Sequence, residues 1–308
     1  MLLKIAKTTA LLALTVGALN STLNATDYAA TAEKDRVELV KYFEAKFEDP
    51  LKNRGTFFPY STDEELENSI AKGLKFEDFS KGNYAYNIDG RGQYEDIKEM
   101  PPYEDSIDAG EALWNTTFTN GKSFATCFET PEAAANYPYF DKARNEVVSL
   151  TQAVNECLTS NGEKAWNTKK GDMAKLQGYM AFSAQEAEKV VDVKIDSQAA
   201  ADAYERGKEY YYTQRGYLKL NCAECHVYGA GLRVRNEKLS QLLGQTTHFP
   251  VFRLKWKGLG TLERRMSGCI KDEGQVPPKD TSNEMKELLF FMAYMSNGMK
   301  IDGPDIRK

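Results

Sequence analysis

Three features of the 308-residue sequence predict a mainly α-helical fold with two domains of similar architecture. The length is that of about two domains, an internal repeat relates the middle of the chain to its end, and the clearest apolar pattern has helical spacing. With 42% hydrophobic residues, the composition supports folded domains. The formal net charge of −5 argues against a nucleic-acid-binding protein, because such proteins need excess basic residues to neutralise phosphates.

The first residues have the pattern of a secretory signal peptide. A basic start, a short apolar stretch and small residues follow one another: Lys4, Lys7, residues 8–19, Ser21 and Ala25. A stretch this short falls below the roughly 20 apolar residues that span a bilayer; an N-terminal membrane anchor is the alternative. We expect a signal peptide at residues 1–25, cleaved between about Ala18 and Ala30. No second apolar run follows, so the mature protein is predicted to be exported and to have no membrane span.

Residues 26–100 precede the repeat and are predicted to form an N-terminal extension. Residues 35–48 have the pattern of an amphipathic helix, and Gly, Pro and aromatic residues without a clear period follow it. We expect the extension to pack onto the first domain and to offer surface for a partner.

Two copies of one domain follow the extension, at residues 101–195 and 196–308. Shifting the chain by 112 positions aligns a long stretch without a gap. The matches include a proline, a cysteine and an aromatic-Met-Ala-aromatic run. In the first copy these are Pro138, Leu150, Cys157, Met173, Leu176 and residues 179–182. In the second copy they are Pro250, Leu262, Cys269, Met285, Leu288 and residues 291–294.

Cys222, Cys225 and His226 have the spacing of a c-type haem attachment site. Two cysteines about one helical turn apart can both reach the vinyl groups of one porphyrin edge, and a histidine directly after the second lies under the iron. Residues 203–220, rich in helix formers and aromatics, are predicted to form a helix against the macrocycle. A zinc site would need four closed ligands, yet His248 is the one other histidine. A redox dithiol, the second alternative, leaves His226 unexplained.

The first copy has lost the equivalent site. With an offset of 98, residues 124–128 lie over residues 222–226. Phe124 and Phe128 then occupy the positions of the first attachment cysteine and the ligand histidine, so this segment cannot attach or ligate a haem. The sequence therefore predicts two cytochrome c-like domains, the N-terminal one without haem, and one covalently bound haem c in the chain.

This comparison also predicts a disulfide in the first copy. Cys127 and Cys157 occupy the places of an attachment cysteine and of Cys269. Both places face one pocket in the second copy, so without a haem the two sulfurs can come within bonding distance. We predict a Cys127–Cys157 disulfide, with the two phenylalanines filling the space that the macrocycle leaves. Two separate buried thiols are the alternative.

Cys269 then stays unpaired, at a position of the repeat that faces the haem. Methionine is the commoner distal ligand in small electron-transfer cytochromes, so Met266, Met292 and Met295 are rivals. Met292 matches Met180 of the haemless copy, which favours core packing, and Met266 is the main competitor.

The neighbourhood of Cys269 favours the thiol as the ligand. Arg264 and Arg265 precede it, and nearby positive charge favours the thiolate, which is both a metal ligand and a nucleophile. In a helix, Arg265 and Cys269 lie four apart on one face, whereas Arg264 points elsewhere. His248 is a further candidate ligand or catalytic base, but an ordinary surface or core histidine is the favoured interpretation.

The sequence resembles the SoxA family, the catalytic cytochrome subunits of the SoxAX complex of periplasmic thiosulfate oxidation. The most specific match covers residues 249–269, FPVFRLKWKGLGTLERRMSGC, and residues 93–104 and 288–298 add to it. One departure is Met266, where the family has a phenylalanine-like residue.

The resemblance implies His226 as the proximal ligand, Cys269 as the distal ligand and persulfide-bearing nucleophile, and Arg265 as the group that holds the anionic substrate. It also implies a periplasmic L-cysteine S-thiosulfotransferase of the single-haem type. Such an enzyme joins thiosulfate oxidatively to a cysteine of SoxY in the SoxYZ carrier, and its electrons pass to the partner cytochrome SoxX of a heterodimer. The alternative is a non-catalytic electron-transfer cytochrome with Met266 as the distal ligand.

Overall fold

The computed structural model describes residues 27–234 and 237–307. The predicted signal peptide lies outside the described residues. None of the helices in the described ranges is long and apolar enough to cross a membrane.

The described part of the N-terminal extension is helical. It comprises α1 (Ala30–Glu48), α2 (Arg54–Phe57), α3 (Asp63–Asn68), a 3₁₀ segment (Phe76–Ala85) and α4 (Ile88–Glu99). The helix predicted at residues 35–48 is therefore present, and it begins earlier, at Ala30.

The first domain contains helices around a short hairpin. Its elements are α5 (Glu104–Trp114), α6 (Ala125–Phe128), β1 (Tyr139–Asp141), β2 (Glu146–Val148), α7 (Leu150–Ser160) and α8 (Asp172–Glu186). β1 and β2 pair antiparallel, with Phe140 opposite Val147.

The second domain repeats this order. Its elements are α9 (Gln198–Tyr212), a π-helical turn (Glu224–Tyr228), β3 (Arg233–Val234), β4 (Glu237–Lys238), β5 (Val251–Arg253), β6 (Gly258–Gly260), α10 (Leu262–Asp272), α11 (Asn283–Met295) and β7 (Asp305–Ile306). β5 pairs antiparallel with β6 and parallel with β7. The helix predicted over residues 203–220 ends at Tyr212, because Thr213 is extended and the Asn221 side chain donates to the Tyr212 carbonyl.

Equivalent helices begin in the same way in both domains. Ser149 caps α7 and Thr261 caps α10, each accepting a backbone N–H of the first turn through its hydroxyl oxygen. The two caps lie 112 positions apart, in the register of the sequence repeat.

A glycine permits a close helix crossing in each domain. α5 packs on α8 and α9 packs on α11. A Cβ at Gly110 would collide with the Lys175 carbonyl oxygen, and a Cβ at Gly207 with that of Glu287. Lys175 and Glu287 are again 112 positions apart, so the repeat is a repeat of packing as well as of sequence.

Aromatic side chains and a disulfide fill the first domain. Phe124 is 1% exposed, and its ring centroid lies 5.6 Å from that of Trp166 and 5.0 Å from that of Phe118. Cys127 and Cys157 are joined in a disulfide between α6 and α7, the pairing that the repeat predicts.

The N-terminal extension packs mainly against the second domain, so the expectation that it wraps onto the first domain is wrong. Phe43 and Phe47, one turn apart on α1, are fully buried in one apolar cluster with Tyr204 and Phe291. An amphipathic pattern shows that a helix buries one face, but it does not name the partner.

Candidate functional site

The attachment motif lies at the π-helical turn after α9, with Cys225 and His226 on the turn and Cys222 two residues before it. Asn221 and Glu224 close this turn reciprocally: the Glu224 N–H donates to Asn221 Oδ1 at 2.9 Å, and the Asn221 N–H donates to Glu224 Oε2 at 3.3 Å. This is the arrangement of a capping box. Cys222 and Cys225 carry free thiols, and burial raises the pKa of both.

The fold fixes the orientation of His226. Its Nδ1–H donates to the Ser240 carbonyl at 2.8 Å, and the His226 carbonyl accepts the Leu242 N–H at 2.8 Å. Burial lowers the pKa of His226 to about 4, so the imidazole is neutral at physiological pH. With Nδ1 occupied by a backbone carbonyl, Nε2 keeps its lone pair for a metal.

An open cleft lies beside this turn. Cys222 and His226 belong to its wall, and cofactor sites are typically such concave, mostly apolar cavities. Its apolar lining includes Tyr211, Val251, Leu262, Ile270 and Met292. The Cys222 thiol and the neutral His226 imidazole on one wall of this cleft, with the Cys225 thiol on the adjoining turn, fit a covalently attached haem.

α10 brings Arg265 and Cys269 to the same cleft. They lie one turn apart on the helix and both line the cavity, as their spacing predicts. Arg264 takes a different direction, with its guanidinium 4.2 Å from the ring centroid of Trp256. The cleft therefore contains a sulfur and a guanidinium group, both from α10.

The rival methionines differ in position. Met266 and Met292 line the cleft, at 8% and 1% exposure, whereas Met295 is buried in the core at 2%. Met266 and Cys269 therefore both line the cleft, and access alone does not decide whether a thioether or a thiolate is the second ligand.

His248 is a buried cleft residue rather than a surface histidine. It is 6% exposed, donates from Nδ1 to the Gly244 carbonyl at 2.9 Å and stacks on Phe249 at 5.1 Å. Burial, together with the positive charges of Arg307 and Lys98 and of Arg265 on α10, lowers its pKa well below the usual value. His248 is therefore a neutral polar group of the wall.

No pattern in the sequence indicated that several other residues belong to the site. Ser240 contributes a backbone carbonyl, which any residue type can supply. Arg253 and Arg307 both line the cleft, although they come from β5 and from the end of the chain. Arg307 pairs with the buried Asp305 carboxylate, two residues before it in the chain.

The zinc alternative finds no support in residues 27–234 and 237–307. Within these ranges no group of three or more His, Cys, Asp and Glu side chains is arranged to hold a metal ion. The Cys-Cys-His turn thus lacks the further protein ligands of a closed zinc site.

The family model of the SoxA/TsdA cytochrome c domain matches residues 109–188 and, separately, residues 206–301. Two matches confirm the prediction of two cytochrome c-like domains. The fold and the cleft thus define a c-type cytochrome, a class that binds haem c covalently.

Individual relatives narrow the class to one family. The L-cysteine S-thiosulfotransferase subunit SoxA of Chlorobaculum thiosulfatiphilum is 48% identical over 237 residues, covering 77% of this chain and 82% of the relative. The subunit of the same name from Allochromatium vinosum is 40% identical over 233 residues, covering 75% and 83%. The crystal structure of SoxXA from P. pantotrophus superposes with a TM-score of 0.63 at 31% identity, covering 70% of this chain and 84% of that one. The chain belongs to the SoxA family.

Proposed function

We propose that the protein is the L-cysteine S-thiosulfotransferase subunit of periplasmic thiosulfate oxidation, with Cys269 as its sulfur nucleophile. One observation carries the proposal: Arg265 and Cys269 lie one helical turn apart at the cleft that also holds the haem attachment motif. The name shared by the curated relatives supports the same activity. The signal-peptide pattern supports export to the periplasm.

The chain holds one haem c, through thioether bonds to Cys222 and Cys225. His226 would hold the haem iron from the attachment turn, and Cys269 would be its second protein ligand. When bound, the haem supplies an iron centre that accepts single electrons and passes them on. A count of one is supported by the first domain, where a disulfide and buried phenylalanines occupy the matching region.

Arg265 holds the substrate and Cys269 makes the bond. The guanidinium binds the sulfonate oxygens of thiosulfate through charge-assisted hydrogen bonds. The Cys269 sulfur, or the outer sulfur of its persulfide, then bonds to the sulfane sulfur of thiosulfate, with loss of two electrons.

A carrier thiol next attacks that sulfane sulfur and releases Cys269 as the thiolate, or as the persulfide anion where the persulfide formed the bond. The net reaction forms one S–S bond between the SoxY cysteine of SoxYZ and thiosulfate, breaks one S–H bond, and releases one proton and two electrons. The electrons pass to SoxX, the partner cytochrome of the heterodimer; the likeness to the SoxXA structure supports this partner.

The test replaces each of the two rival ligands in turn. The ferric wild-type protein is expected to lack the weak long-wavelength charge-transfer band of methionine ligation, and Cys269→Met should gain it. Thiosulfate-dependent turnover of Cys269→Met should fall by on the order of 10³-fold or more, because the nucleophile is lost. The matched control, Met266→Leu, should keep the wild-type spectrum and turnover.

The opposite pattern supports the second candidate, a non-catalytic electron-transfer cytochrome. In that case the wild type has the methionine band, Met266→Leu abolishes it, and Cys269→Met changes neither spectrum nor electron transfer. Met266 favours this second candidate because it lines the cleft and carries a thioether that can ligate iron.

A further inference from the structure

The N-terminal extension is bonded to the segment that orients the proximal histidine. We call residues 238–242 the acceptor segment, because its Ser240 carbonyl accepts the Nδ1–H of His226. Four side-chain hydrogen bonds join the described part of the extension to this segment. Lys238 donates to the Glu65 carboxylate at 2.7 Å, and three bonds end on backbone carbonyls: Asn83 to Lys238 at 3.2 Å, Tyr86 to Leu239, and Gln241 to Phe79 at 2.8 Å.

Tyr86 occupies the central position among these contacts. Its ring is fully buried and stacks on Phe47 of α1, with centroids 4.4 Å apart and planes 8° from parallel. Its hydroxyl donates to the Leu239 carbonyl, and backbone groups of Gly231 and Gln241 also face it. The hydroxyl thus contacts the residues on both sides of Ser240.

The extension also holds the other end of the attachment turn. The Lys46 ammonium, on α1, donates to the Tyr228 carbonyl at 2.8 Å. Gly231 has a φ of +85°, and a Cβ there would lie 3.1 Å from ring atoms of both Phe47 and Phe58. The turn that carries His226 and the segment that binds its imidazole are therefore packed on one aromatic surface of the extension.

We propose that Tyr86 is a positioning residue for the proximal haem ligand. It fixes the Leu239–Ser240 peptide, so that the Ser240 carbonyl stays aimed at His226 Nδ1–H. A partner of this kind sets the tautomer of a ligating histidine and raises its basicity, which stabilises the ferric state of the iron. The proposal rests on the haem ligation by His226 proposed above and is independent of the sulfur chemistry.

The experiment removes one hydroxyl from the full-length, haem-loaded protein. Tyr86→Phe keeps the ring and its stacking but removes the hydroxyl bond to the Leu239 carbonyl, which then accepts the Gly231 N–H alone. We expect the midpoint potential to rise and the ferric electron paramagnetic resonance signal to shift or broaden, because the Nδ1–H···O bond is less well held.

Tyr204→Phe is the matched control. Tyr204 is 1% exposed in the same apolar cluster, and its hydroxyl donates to Asp35 at 2.9 Å, away from the acceptor segment. Each variant removes one hydroxyl from a buried tyrosine, and Tyr204→Phe should leave the potential and the spectrum unchanged.

Two results would overturn the proposal. The first is an unchanged potential and spectrum in Tyr86→Phe, and the second is an equal shift in both variants, which would make Tyr86 ordinary core packing. If Tyr86→Phe fails to retain haem, Phe47→Leu takes its place, since loss of the stacked ring lets the Tyr86 hydroxyl move away from the Leu239 carbonyl. A potential that does not rise in Phe47→Leu contradicts the proposal. Because these readouts need no turnover, they fail or succeed independently of the Cys269 test.

Discussion

At the scale of single residues, Arg264 and Arg265 are neighbours whose guanidinium groups meet different surroundings. Arg265 lines the cleft with Cys269, whereas Arg264 lies over the Trp256 ring at 4.2 Å. Successive residues of a helix point about 100° apart, so one faces the cleft and the other the outer surface. This difference separates a charge that can bind substrate from a charge that packs on an aromatic ring.

We predict that Arg265→Gln lowers kcat/KM for thiosulfate by about 10- to 100-fold, the usual range for a hydrogen bond to a charged group. The kcat/KM of Arg265→Lys should lie between those of the wild type and Arg265→Gln, because an ammonium keeps the charge but lacks the planar pair of donors of a guanidinium. Arg264→Gln, the control, should change kcat/KM by less than about twofold. Steady-state kinetics with the carrier protein measure all three. Equal losses in Arg264→Gln and Arg265→Gln would contradict a binding role specific to Arg265.

The sequence predicted the residues of the site whose spacing is local. Cys222, Cys225 and His226 are adjacent in one turn, and Arg265 and Cys269 are one helical turn apart. The rest comes from contacts across the chain: Tyr86 bonds to a carbonyl 153 positions away. Any residue type can supply a backbone carbonyl, so the sequence does not indicate which residue accepts such a hydrogen bond. The acceptor can be identified only from the folded structure.

At the scale of elements, α1 shows that an amphipathic pattern can predict a helix correctly and still misplace one of its charged side chains. Residues 35–48 form a helix as predicted, yet Lys46 near its end is fully buried instead of solvated. Its ammonium donates to the Tyr228 carbonyl and lies 5.3 Å from the ring centroid of Phe58. A lysine in such surroundings is costly to keep charged, and burial lowers its pKa from 10.5 to about 8.

We predict that this shift gives the protein a rise in stability between about pH 8 and pH 10. In that interval the unfolded chain keeps the Lys46 proton that the folded protein has lost, so the free energy of unfolding increases with pH. The full shift corresponds to at most about 3 kcal/mol, at about 1.4 kcal/mol for each pKa unit. Below about pH 8 both states are protonated, and the contribution is constant.

Urea unfolding at pH 7.5 and pH 9.5 measures this rise. Lys46→Met should lose it, while Lys34→Met should retain it, since Lys34 lies on the same helix with a side chain 74% exposed. The same pH dependence in the wild type and in Lys46→Met would show that another group is responsible.

At the scale of the whole molecule, the repeat predicted the two domains correctly because each copy buries its core in the same way. It did not predict how the domains and the extension join, since those contacts occur once and have no counterpart to align. The hairpin strand β2 of the first domain packs on α9 and α11 of the second. There the Lys286 ammonium, with 2% of its side chain exposed, lies 2.6 Å from the Glu146 carboxylate and 3.0 Å from the Gln152 side-chain oxygen.

We predict that Glu146→Gln destabilises the contact between the domains by about 3 to 5 kcal/mol, because it leaves a buried ammonium without its counter-charge. The double variant Glu146→Gln/Lys286→Met should recover most of that loss, since no buried charge remains. Glu156→Gln is the control: Glu156 pairs with Arg144 at the surface, with 45% of its side chain exposed, and such pairs contribute about 0–1 kcal/mol.

Denaturant unfolding followed by two spectroscopic signals measures whether the two domains unfold together. Tryptophan fluorescence reports mostly on the first domain, through Trp114 and Trp166, and haem absorbance reports on the second. In the wild type the two transitions should coincide, because the ion pair makes the domains unfold together. In Glu146→Gln the fluorescence transition should come at lower denaturant than the haem transition, and in the double variant the two should coincide again. Transitions that stay coincident and unshifted in Glu146→Gln would mean that apolar packing of β2 on α11 alone couples the domains.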